Sequence, residues 1–135
     1  MGLDQLARPP YAPTVDHNAE SRRTFVNALM ALGDLFETVE SDLNARSIFS
    51  RSIAIRRFKS ETGRSVEQWH HLLQSLVALS TTDVTLPVLE RWPQLRLSLA
   101  RLTDYFRRHS LSDAVERYDP VRLVTRVIIA LEEME

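Results

Sequence analysis

Apolar residues that return every three or four positions along nearly the whole chain, with no stretch alternating at period two, predict an all-α fold. Two further observations agree. Capping and breaking residues bound each apolar stripe, among them Ser50, Gly63, Ser65 and the pair Asp119-Pro120. A chain of 135 residues is also long enough to bury one core without disulfides. The expected architecture is a compact bundle of about seven helices, forming a single domain over residues 20–135 behind an extended Pro-rich arm at residues 1–19.

Pro9, Pro10 and Pro13 exclude a regular helix at the start of the chain, hence the arm. Phe25, Leu29, Leu32, Phe36, Val39 and Leu43 then fall at steps of four and three, one stripe on a long helix capped by Asn18 or Ser21. Ser41 closes that helix or caps a short one at 42–48. A third helix over 51–60 has Ser50 as its N-cap, Ile53 and Phe58 facing inward, and Gly63 as a left-handed residue after its end. Ser65 and Gln68 form a capping box that opens the next helix, whose buried face is Val66, Trp69, Leu72, Leu73, Leu76 and Leu79. "STTD" breaks the pattern, and Leu86–Arg91 makes a short helical turn stopped by Pro93. That proline starts a helix striped by Leu95, Leu99, Leu102 and Phe106. A short helix at 112–118 precedes the last one, where Asp119 caps, Pro120 takes the first helical position, and Val121, Val124, Ile128 and Leu131 form the stripe.

Hydrophobic residues make up 44% of the chain and charged residues 26%, an ordinary globular balance. The absence of cysteine excludes a disulfide framework, a thiolate metal site and a thiol nucleophile. No apolar run reaches the roughly 18 residues needed to span a bilayer. The N-terminus lacks the charged start and apolar core of a secretory signal, and Leu6 stands where a myristoylation signal has Ser or Thr. These features point to a soluble, cytoplasmic chain without membrane contact.

The net charge of −1 conceals a pattern. Residues 1–42 carry three Arg against seven carboxylates, whereas residues 43–80 carry six cations against Glu61 and Glu67. Residues 88–118 hold six Arg against four carboxylates. Two basic segments between acidic flanks suit a chain with one anion-facing side, and equally a chain whose solvated helix faces favour Arg.

The segment "SRSIAIRRFKSETGRSVEQW" has the parts of a helix-turn-helix: two short helices, a left-handed residue between them, and apolar residues that pin both to a third. Through Ser50, Arg51, Arg56, Phe58, Lys59, Glu61, Thr62, Gly63, Ser65, Gln68 and Trp69 it resembles the AraC/XylS transcription activators. Their DNA-binding domain joins two such units by a linking helix, so the bundle would contain one or two helix-turn-helix units. "LTDYFRRHSLSDAVERY" at 102–118 is similar to a degraded second unit, with Phe106-Arg107 answering Phe58-Lys59. The chain departs from the pattern at Ile48-Phe49, where the family has glycine before the recognition helix, and at Pro93-Gln94, where it has Gly-Phe.

The resemblance implies a small DNA-binding transcription regulator with residues 50–59 as recognition helix. Arg51, Ser52 and Arg56 would reach base edges, while Lys59 and Arg64 hold phosphates. Arg96 and Arg101 would serve the second unit. The alternative is a non-enzymatic helical protein-interaction module, or a helical subunit of a nucleoprotein complex that contacts RNA without reading bases. The last helix has more apolar positions than one core stripe needs, so Ile129 and Leu131 are candidates for a homodimer or partner surface.

No catalytic motif, Gly-rich phosphate loop or His-Glu-x-x-His appears, so no enzymatic activity and no cofactor is expected. His70 and His71 are helical neighbours about 100° apart and cannot share a metal by themselves. Asp34, Glu37 and Glu40 form an acidic edge that suits a solvated face, or that a metal or a basic partner could use. Trp69 and Trp92 are expected in the core.

Overall fold

The computed structural model describes residues 4–80, 86–109, 111 and 113–134, with side chains described from Glu20 onward except those of 81–92 and Ala114. The described residues form α1 (Asp4–Asn44), α2 (Ile48–Thr62), α3 (Val66–Ser80), α4 (Leu86–Arg108), the single turn α5 (Asp113–Glu116) and α6 (Pro120–Met134). Five helices of 15 residues or more and one turn of four thus stand where about seven were expected. No strand occurs among the described residues, as the periodicity predicts.

The count fell because two expected breaks do not break. Leu43 is buried and continues the α1 stripe, so the helix runs past Ser41 to Asn44 instead of restarting. There the amide of Ala45 donates back to the Ser41 carbonyl at 3.2 Å. Pro93 lies inside α4. Its ring fixes φ at about −65°, a helical value, although it removes one donor and crowds the carbonyl four residues earlier. Burial of Leu95, Leu99, Leu102 and Phe106 downstream favours the continued helix.

The extended arm expected at residues 1–19 is not what the backbone adopts. The backbone is helical from Asp4, through Pro9, Pro10 and Pro13, whose φ values suit a helix although their amides do not. Ser21 therefore sits buried within α1 and caps nothing, and the Asn18 side chain and the Trp92 side chain lie outside the described residues, as does the link at 81–85.

α1 is the backbone of the bundle. It packs along both α3 and α6, and α4 closes the other side against α6 and α2. Phe25, Leu29, Leu32, Phe36, Val39 and Leu43 are all in the core, as the stripe predicts. Leu123, Val124, Val127, Ala130 and Leu131 form the buried face of α6. Asp119 Oδ1 caps that helix by accepting from the Arg122 amide at 3.3 Å, at the cost of a left-handed φ of 48°.

Four aromatic rings tie α2 into the bundle. Phe58 meets Phe36 of α1 edge-on at 6.0 Å and Tyr105 of α4 edge-on at 4.9 Å, while Phe36 stacks on Trp69 of α3 at 6.1 Å. Such pairs add about 0.5–1.5 kcal/mol each beyond their burial. Phe58 and Thr62 are the only fully buried residues of α2. The helix therefore hangs on one side of the bundle with most of its circumference in solvent.

Candidate functional site

The residues that carry the helix-turn-helix resemblance lie on α2 and the turn that follows it. Ser47, not Ser50, caps α2: its backbone is extended, and its hydroxyl accepts from the Ser50 amide at 3.3 Å. The helix consequently begins with Ile48 and Phe49, three residues earlier than expected. At the other end Gly63 has φ of 87°, and its amide donates to the Lys59 carbonyl at 2.9 Å. Only glycine adopts that conformation at no cost. The capping box of α3 forms as predicted, with the Ser65 amide donating to Gln68 Oε1 at 2.9 Å and the Gln68 amide to Ser65 Oγ at 3.1 Å.

Beneath the turn, the Trp69 indole N–H donates to Thr62 Oγ1 at 3.0 Å. That hydroxyl in turn lies 2.8 Å from the Phe58 carbonyl and 2.9 Å from the Arg64 carbonyl, so its one hydrogen serves either. The buried indole is thereby satisfied, and the angle between α2 and α3 is fixed by a polar network inside an apolar shell.

Three of the seven predicted nucleic-acid contacts share the open side of α2. Ser52, Arg56 and Lys59 are exposed there, and Arg57 flanks them. Among the described residues no carboxylate pairs with Arg56, Arg57 or Lys59. The other four are committed elsewhere. Arg51 is half-buried and donates to the Asn44 carbonyl at 3.4 Å. Arg64 donates to Ser98 Oγ at 3.0 Å and lies over the Trp69 ring at 5.1 Å. Arg96 is half-buried on α4. Arg101 donates from Nε to the Glu61 carbonyl at 3.2 Å and from Nη2 to the Ser60 carbonyl at 3.3 Å. It acts as a side-chain cap on the negative end of the α2 dipole.

Glu61, the one acidic residue of α2, turns toward α4. Its Oε2 lies 2.7 Å from His109 Nε2, and its Oε1 forms an ion pair with Arg108 Nη2 at 3.1 Å. Tyr105 lies against His109, and burial, reinforced by the Glu61 carboxylate, raises its phenol above the ordinary tyrosine range. The outer face of α2 therefore carries no negative charge.

Four large apolar side chains of α2 are exposed, Phe49 and Ile53 on the face of Arg56, and Ile48 and Ile55 on the flank that carries Lys59. Ile48 and Phe49 are 75% and 78% exposed, and Ile53 and Ile55 are 39% and 40% exposed. Ile53 was expected to face inward; its place there is taken by Ala54, because the buried side of α2 is centred on Phe58 and Thr62. Sequence reasoning missed the exposure of Phe49 and Ile53 and the place of Arg57. The signal was the replacement of the family's glycine by Ile48-Phe49, a costly pair to leave in water without use.

At the C-terminal helix the expected partner surface is halved. Leu131 is fully buried in the core, because its stripe faces α1 and α4, and only Ile129 is exposed. His71 lies 3.8 Å from Glu67 and His70 3.8 Å from Glu37. Among the described residues no cluster has the donors of a metal site, and no helix is long and apolar enough to cross a membrane. Compared with protein families, with curated proteins and with solved structures, the chain matches none.

Proposed function

We propose that the chain is a non-enzymatic helical interaction module that engages a protein partner through the outer face of α2. The observation that carries this reading is the composition of the exposed side of α2: Phe49 and Ile53 beside Arg56 and Arg57, with Ile48, Ile55 and Lys59 on the flank, and no carboxylate. Apolar side chains of that size lose free energy in water, at about 25 cal/mol per Å². A partner that covers them and answers three cations presents an acidic, apolar surface, such as an amphipathic helix laid alongside α2.

A labelled amphipathic peptide of Leu and Glu tests the reading by fluorescence anisotropy. It should bind the wild type, and binding should weaken on Phe49→Ser, on Arg56→Glu and with rising salt. Equal binding of a Leu/Lys peptide, or indifference to both substitutions, would refute the reading.

A second reading is DNA binding by the same helix, favoured by the Gly63 turn and by unpaired Arg56 and Lys59 at the positions that resemble the AraC/XylS motif. With Arg56, Arg57 and Lys59 as the phosphate contacts, affinity for a mixed duplex pool should fall with a log–log salt slope of about −3. Arg56→Ala should relax sequence preference. Failure to retain the duplex pool at about 50 mM salt would exclude this reading and leave the protein-partner reading intact.

A further inference from the structure

Gly33 sits in the middle of α1, where glycine destabilises a helix relative to alanine. Its own fold does not require it. A Cβ built there meets only the His70 ring, 3.9 Å from Cε1 and 4.0 Å from Nδ1, which are ordinary contacts. What the missing side chain provides is a groove of about 250 Å³ between α1 and α3. Leu29, Met30, Leu73 and Val77 line it, and Met30 is 55% exposed. Asp34 and Glu37 line it too, both exposed. His70 lies along it with Nδ1 lacking a hydrogen-bond partner, while its Nε2 lies 3.0 Å from the Gln74 amide nitrogen.

An apolar groove with two carboxylates is the complement of the outer face of α2. There Phe49 and Ile53, one helical turn apart, are followed by Arg56 and Arg57. We infer that this chain binds a second copy of itself, the α2 helix of one molecule lying in the α1–α3 groove of the other. Phe49 and Ile53 cover the apolar lining, and Arg56 and Arg57 meet Asp34 and Glu37. Gly33 admits the incoming helix because it offers no side chain to hold it off. The inference rests on α2 being a docking face and names its occupant. Each copy contributes two different surfaces, so one groove variant and one helix variant can complement each other.

Sedimentation velocity from about 1 μM to about 1 mM tests this with the full chain. The wild type should associate within that range. Gly33→Leu, which fills the groove, and the pair Phe49→Ser with Arg56→Glu, which strips the helix, should each weaken association by about tenfold or more. An equimolar mixture of these two variants should recover a one-to-one complex and nothing larger. Asp34→Arg with Glu37→Arg serves as a second groove variant, since both side chains are exposed and no core contact changes. A monomeric wild type over the whole range, undiminished association of both groove variants, or a mixture that stays monomeric overturns the inference. If the wild type is monomeric yet binds the Leu/Glu peptide through Phe49, self-docking is refuted and the α2 docking face stands. If it does neither, both fall.

Discussion

Replacing Gly63 by alanine isolates the feature on which the α2–α3 geometry depends. The residue has φ of 87°, where an L side chain costs about 1–2 kcal/mol. Alanine brings a second penalty. Its Cβ would lie 2.9 Å from Arg101 Nη1, so the guanidinium that caps Ser60 and Glu61 must move. Those two bonds are solvent-exposed, and their loss adds about 0.5–1 kcal/mol. The stiffer unfolded chain returns about 0.4–1 kcal/mol. The net destabilisation is about 1–2 kcal/mol, which lowers a urea midpoint by about 0.5–1 M at an unchanged slope. In an Arg101→Ala background the steric part vanishes, so the same substitution should cost about 1 kcal/mol. An unchanged or higher midpoint for Gly63→Ala would refute the left-handed turn, and equal costs in the two backgrounds would refute the Arg101 clasp.

The same exchange at Gly33 should have the opposite sign: Gly33→Ala meets only ordinary contacts, so it should stabilise the fold by about 0.5–1 kcal/mol in thermal or urea unfolding. Thr62→Val keeps the shape but strips the acceptor from the buried Trp69 indole, at a cost of about 1–3 kcal/mol in the same assays. Tyr105 sets an alkaline limit. Below about pH 10 the phenol is protonated folded or unfolded, and its contribution to stability is constant; above it the unfolded chain loses the proton first, because burial holds the folded value higher. Stability should therefore fall as pH rises beyond about 10, and Tyr105→Phe should flatten that fall.

Local chemistry was legible in the sequence, and reach across the fold was not. The six α1 core positions follow from a 3.6-residue period, and the Gly63 turn and the Ser65–Gln68 box are written within a few residues of one another. Helix boundaries failed where a signal is degenerate. Serine stands at 47, 50 and 52, each an acceptable cap, and nothing within the segment tells them apart; Ser47 is the one that caps. Pro93 failed because a proline marks an end only where downstream packing does not hold the helix together.

The candidate site shows the same division with more consequence. Seven side chains, six of them basic, were legible as one group, but a helix surface read in isolation treats every arginine as free. Arg101 is bound by carbonyls some forty residues earlier in the chain, and Arg64 by Ser98, more than thirty residues later. Neither partner is signalled near those residues. Subtracting them leaves a smaller basic group, and the space between its members is filled by Ile48, Phe49, Ile53 and Ile55. A duplex groove has use for one or two such apolar contacts with thymine methyls, whereas two beside Arg56 and two more on the flank of Lys59 call for a surface that excludes water. The balance between charge and apolar area on α2, rather than the count of arginines, is therefore the ground on which we propose a protein partner over a nucleic acid.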